Sequence, residues 1–133
     1  AFLMCREAVR RWLQQERGGR IVNVSSPAAF LGSTTGHADY AASKAGLVNL
    51  TVSLAREVAA NGIYVNAVAP GMMYTEMAHD ALEANEAQYL RRIPLGRIGQ
   101  PAEIARMIVF LASDRASYTT GATIDVSGGM LMR

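Results

Sequence analysis

"IYVNAVAPG", residues 63–71, decides the fold. Only Asn66 interrupts a run of apolar side chains before Pro70-Gly71 stops it. Strand side chains alternate between two faces, so a strand apolar at successive positions needs cover on both. That is the habit of a parallel sheet with helices on either side. Working outward, residues 39–60 carry a helical pattern that Asn61-Gly62 ends. Upstream, "RIVNVSS" (residues 20–26) is a β-branched run and a second strand. Downstream, "TGATIDVSGG" holds a third strand near residues 122–126.

The remaining segments fit between these strands. Residues 1–17 are helical, with Phe2, Cys5, Val9, Trp12 and Leu13 at helical spacing and Gly18-Gly19 as the stop. This opening reads as the inside of a helix. "PAAFLGSTTGH" (residues 27–37) is a loop. Residues 72–93 form a weaker helical segment, and "PLGRIGQ" is a turn. Pro101 starts a helix with Glu103 in its first turn and Ile104, Met107, Ile108 and Leu111 as its buried stripe. The order is α-β-α-β-α-α-β. The 39–60 helix has two apolar stripes, one of Leu47, Leu50, Leu54 and Val58, the other rich in alanine from Ala41 to Ala59. Two covered sides are expected, one on a sheet and the small-residue side against a helix of another subunit.

Composition narrows the classes. Half of the 133 residues are apolar and 18% are charged, as in a packed globular domain. A net charge of +2 without a basic run gives no reason to expect nucleic acid. No apolar run approaches the ~20 residues of a membrane span. The single cysteine, Cys5, excludes an internal disulfide, and a cytoplasmic location is the expectation. His37 and His79 stand too far apart, with too few acids or cysteines, to suggest a metal site.

The chemistry-bearing stretch is "HADYAASKAG", residues 37–46. It contains the only lysine, the other twelve of thirteen basic residues being arginine. Tyr40 and Lys44 are i,i+4 and share a helix face. A free tyrosine ionises only near pH 10, too high for acid–base work at neutrality. An ammonium one turn away stabilises a phenolate. Ser26, at the end of the first strand, could hold the oxygen that exchanges a proton with Tyr40. Taken alone, Tyr-x-x-x-Lys is a common pair on helix surfaces. The order of hydroxyl-tipped strand, loop, Tyr-x-x-x-Lys and strand-Pro-Gly is a much rarer combination.

That order resembles the short-chain dehydrogenases/reductases, Rossmann-type oxidoreductases that use NAD or NADP. The likeness runs through "GRIVNVSS", "YAASKAGL", "LAREVAANGIYVNAVAPG", "PLGRIGQPAEIA" and "GATIDVSGG", and looks nearest to 3-oxoacyl-carrier-protein reductases. The resemblance implies that Tyr40 is the catalytic acid/base and that Ser26 orients the substrate carbonyl. Lys44 would assist Tyr40 and bind the nicotinamide ribose. Tyr40, Lys44, Asn66, Pro70, Gly71 and Thr75 would then contact the cofactor, Thr75 at its carboxamide. The implied substrate is a small carbonyl compound or alcohol, free or bound to acyl carrier protein, and the implied assembly a homo-oligomer, dimer or tetramer. Tyr40 stands fourteen positions after Ser26, one more than the resemblance leads one to expect.

The family's glycine-rich pyrophosphate turn does not occur in these residues. Residues 1–133 therefore read as the C-terminal half of a Rossmann-type doubly wound parallel sheet. On this reading the N-terminal dinucleotide-binding half is missing and the fragment alone is inactive. The competing reading is a truncated, non-catalytic product that acts only as an oligomerisation partner. Met72, Met73 and Met77 either line an apolar substrate channel or pack the 72–93 segment. Arg91 and Arg92 are either a solvated face or a docking point for an acidic carrier protein.

Overall fold

The computed structural model describes residues 1–33 and 36–132. Eight principal elements follow one another: α1 Phe2–Gln14, β1 Gly19–Val24, α2 Ala28–Leu31, α3 Ala38–Val58, β2 Ile63–Pro70, α4 His79–Leu90, α5 Pro101–Leu111 and β3 Thr123–Val126. The strands form one parallel sheet in the order β1-β2-β3. Gly19 pairs with Ile63 and Val24 with Val68 in one register, and Ala67 with Thr123 in the other.

The expectation of half a doubly wound sheet is corrected here. A Rossmann-type parallel α/β sheet runs through the chain from residue 19 to residue 126. Its central strand, β2, finds both neighbours within these residues, and helices of the same chain cover both its faces. Ile63 and Val65 pack with Val9, Ala55 and Val58 of α1 and α3. Val68 packs on the other face with Ile104 and Leu111 of α5 and with Ala116. Val65, Ala67, Val68 and Ala69 are wholly buried, as the continuous apolar run requires. A third cluster, Leu82, Ile93 and Ile98, holds the segment between β2 and α5.

Helix α3 meets the sheet along a line between the two stripes. Its buried residues are Ala41, Thr51, Ala55 and Val58, so the sheet takes residues of both stripes, Ala55 from one and Val58 from the other. Alanine lets the helix axis come close to β2, where a leucine row would hold it off. Leu47, Leu50 and Leu54 are left half-buried. The helix ends through the turn Ala59–Asn61 at Gly62, whose φ of 70° lies in the left-handed region that glycine adopts without strain.

Polar groups tie the layers together. Asn23 on β1 donates from Nδ2 to Thr51 Oγ1 at 2.9 Å and accepts from Cys5 Sγ at 3.6 Å, joining α1, β1 and α3. Both Asn23 and Thr51 are buried. Thr51→Val keeps the shape and leaves the Asn23 amide without its acceptor. The expected loss is about 1–3 kcal/mol, read as a lower urea midpoint. An unchanged midpoint would count against this joint.

Helix α5 begins as expected, with Pro101 in its first turn and Glu103 accepting from the Gln100 backbone N–H at 2.9 Å. Arg97 grips both Glu103 oxygens, at 2.8 and 2.7 Å. The Arg97 hydrogen bonds, and then the Gln100 N–H, hold the Glu103 carboxyl down to about 2, against 4.5 for a free glutamate. A lowered carboxyl stabilises the fold above its free value and loses that contribution as pH falls through the folded value. The difference in melting temperature between wild type and Glu103→Gln should therefore shrink between pH 4.5 and about 2. A difference that stays constant over that window would exclude the linkage.

The loop at residues 27–37 contains a short helix, α2, and its Thr34 and Thr35 lie outside the described residues. The 72–93 segment divides into the turn Glu76–Ala78 and α4, which is kinked at Asn85. Among the described residues, no helix is long and apolar enough to cross a membrane.

Candidate active site

The site grows from the end of β1 and the first turns of α3. Ser25 and Ser26 part company there. Ser25 is buried, and its hydroxyl donates to the Lys44 carbonyl at 3.0 Å. Lys44 returns the contact, its Nζ donating to Val24 O at 2.9 Å. This reciprocal clasp fixes the second turn of α3 against the strand end. It also places the ammonium 5.5 Å from the centroid of the Tyr40 ring. Arginine's planar fork could not fill the place of this compact donor.

Ser26 and Tyr40 meet on one cleft of about 540 Å³. Ser26 Oγ accepts from the Ala28 N–H at 3.2 Å. Its own O–H, and the Tyr40 hydroxyl, have no protein partner among the described residues. Tyr40 is 46% exposed, so its phenol is open to a ligand. Pro70 and Gly71 reach the same cleft from the end of β2. Here the chain passes so close to Ser127 that a Cβ on Gly71 would stand 2.7 Å from the Ser127 Cα, which only glycine avoids.

Of the expected cofactor residues, Lys44, Asn66 and Thr75 do not line this cleft themselves. Asn66 is 1% exposed in the middle of β2, donating to Thr119 O at 2.8 Å and accepting from the Ala122 N–H at 3.1 Å. Its amide is spent on the loop before β3. Thr75 accepts from the Ala78 N–H at 3.2 Å, on a neighbouring cleft with Tyr74, His79, Glu83 and Glu86. Within that cleft Tyr74 donates to Glu86 at 2.6 Å, and this hydrogen bond pushes the Tyr74 phenol up. Met72 lines the Ser26–Tyr40 cleft, Met73 packs towards α5, and the side chain of Met77 lies outside the described residues.

The sequence reading missed the rest of the cleft wall. His37, Tyr89, Arg92 and Met130 all line it. Turns bring the last three from 49 to 90 positions beyond Tyr40, so no local spacing could have announced them. Among the described residues no group of three or more His, Cys, Asp or Glu side chains comes together to hold a metal.

Comparison with known proteins gives this geometry its setting. The family model described as Enoyl-(Acyl carrier protein) reductase matches residues 1–131. The 3-oxoacyl-[acyl-carrier-protein] reductase of Rickettsia felis is 49% identical over 131 residues, 98% of this chain and 54% of that protein. The enzyme of the same name from Pseudomonas aeruginosa is 50% identical over 126 residues, 95% of this chain and 51% of its own length. Among solved structures, a 3-oxoacyl-[acyl-carrier protein] reductase from Brucella melitensis superposes with a TM-score of 0.92 at 36% identity, covering 99% of this chain and 49% of that one. A putative 2-deoxy-d-gluconate 3-dehydrogenase from Agrobacterium tumefaciens, with bound NADP, gives 0.87 at 42% identity, covering 93% and 51%. The likeness takes in nearly all of this chain, which corrects the expectation of a resemblance to a C-terminal half only. The chain spans about half the length of the curated relatives it matches. On this match the chain belongs to the Enoyl-(Acyl carrier protein) reductase family of short-chain dehydrogenases/reductases.

Proposed function

We propose that the protein is an NAD(P)-dependent oxidoreductase interconverting a carbonyl compound and its secondary alcohol, with 3-oxoacyl groups on acyl carrier protein as the substrate class. The observation that carries this reading is the meeting of two hydroxyls, Ser26 and Tyr40, on one cleft with both O–H donors unspent. The donor set suits the nicotinamide end of a dinucleotide. An ammonium has three N–H donors, and Val24 takes one from Lys44, leaving two for a ribose diol. The NADP held by the Agrobacterium relative supports the same cofactor class. When bound, the nicotinamide supplies or accepts hydride at the carbonyl carbon.

The chain's own residues handle the oxygen. Ser26 donates to the carbonyl oxygen and holds it beside Tyr40. Tyr40 gives that oxygen its proton in reduction and takes it back in oxidation. The Lys44 ammonium steadies the negative charge left on Tyr40. Pro70, Gly71 and Thr75 are assigned to the nicotinamide, while Asn66 acts as a positioning residue through the loop it anchors. Assembly with copies of the same chain belongs to this reading. Phe2, Leu3 and Met4 stand exposed on α1, and Leu50 and Leu54 of α3 line a groove alongside that helix.

Lys44→Arg tests the lysine's part in the protein expressed from its complete gene. A misplaced cation in a fixed geometry should cost about a hundredfold in kcat/KM with the fold unchanged. Near-normal turnover by the arginine variant would remove this role.

A further inference from the structure

We propose that this cleft also takes small substrates bearing an anionic group, a carboxylate or a phosphate, and that Arg92 receives it. The inference rests on the reading of the Ser26–Tyr40 cleft as the substrate site, and it names a second substrate class beside the acyl thioesters. Arg92 follows α4, is exposed, and lines the cleft together with His37. Among the described residues no acidic side chain lines it. Glu76, Glu83 and Glu86 line a different cleft.

Two other arginines, Arg20 and Arg97, are held by acids. Arg20 pairs with Asp114 at 3.0 Å, and Arg97 holds Glu103 through both its oxygens. The Arg92 guanidinium has no carboxylate partner among the described residues. A guanidinium presents paired N–H donors in a fixed fork that matches carboxylate or phosphate oxygens. With apolar Leu31, Met72 and Met130 lining the same cleft, an anion at Arg92 would leave the rest of a small molecule between the arginine and the Ser26–Tyr40 hydroxyls.

The test is binding, measured by protein-observed NMR titration of the protein expressed from its complete gene. Two ligand pairs differ only in charge: 3-hydroxybutyrate against its methyl ester, and dihydroxyacetone phosphate against dihydroxyacetone. The anion of at least one pair should bind about tenfold more tightly than its neutral partner, as expected for a partly solvated charged contact. Arg92→Gln should remove that preference, and Arg92→Lys should retain part of it. A preference in the first pair identifies a carboxylate, and in the second a phosphate. Equal binding within both pairs, including no binding of any, would overturn the proposal. So would a preference that survives Arg92→Gln. Tyr40→Phe keeps the preference while removing turnover, so failure of the anion site and failure of the proton-transfer reading are separate results.

Discussion

Tyr40→Phe should reduce turnover by about 10²–10⁴-fold while leaving the fold and its stability nearly unchanged. Phenylalanine keeps the ring and removes one atom, the hydroxyl oxygen. That hydroxyl makes no hydrogen bond to the protein among the described residues, so its loss leaves no buried group unsatisfied. The ring is 46% exposed and contributes little core area to lose. Without the oxygen there is no group at this point to exchange a proton with the substrate. On the proposed reading Ser26 would keep its hold on the carbonyl, so the loss should fall on kcat far more than on KM. Turnover within a few-fold of wild type would mean that another group donates the proton.

The largest stability effect should come from Leu111→Ala. Leu111 is 1% exposed at the end of α5, packed with Val68, Ile104 and Ala116 against the α5-facing side of β2. Truncation removes three buried carbons and leaves a cavity that β2 and α5 cannot close without breaking their pairing. Such changes cost about 2–5 kcal/mol, much of the ~5–15 kcal/mol margin of a typical domain. The urea midpoint should fall with its slope unchanged. A loss under about 1 kcal/mol would show that α5 is not the second cover of the sheet.

What was legible in the sequence was local. The run at residues 63–70 is so apolar that only a strand covered on both faces accommodates it, and β2 is found at Ile63–Pro70. Ser26, Tyr40 and Lys44 lie within nineteen consecutive residues, on one strand end and one helix, so their association follows from short-range geometry. The orientation of α3 was not legible. Its two apolar stripes are separate in the sequence, yet Ala55 of one and Val58 of the other are buried together against Ile63 and Val65 of β2. Helix α2 was hidden by Pro27 and Gly32, which punctuate a single turn as readily as a loop. Asn66 shows a different limit. Its position in β2 was readable, but its partners, Thr119 and Ala122, are more than fifty residues away. Arg92 and Met130 reach the cleft only because the chain folds back after α4 and after β3, which no residue pattern near Tyr40 encodes.

The central claim is that hydride passes from a nicotinamide to a carbonyl carbon while Tyr40 supplies the proton. The direct measurement uses NADPH or NADH deuterated at the transferable position, a 3-oxoacyl thioester, and the protein expressed from its complete gene. Mass spectrometry of the alcohol product should find one deuterium on the carbinol carbon, and the Tyr40→Phe protein should yield almost none of that product. A product without the label, or no product with either cofactor, would contradict the account.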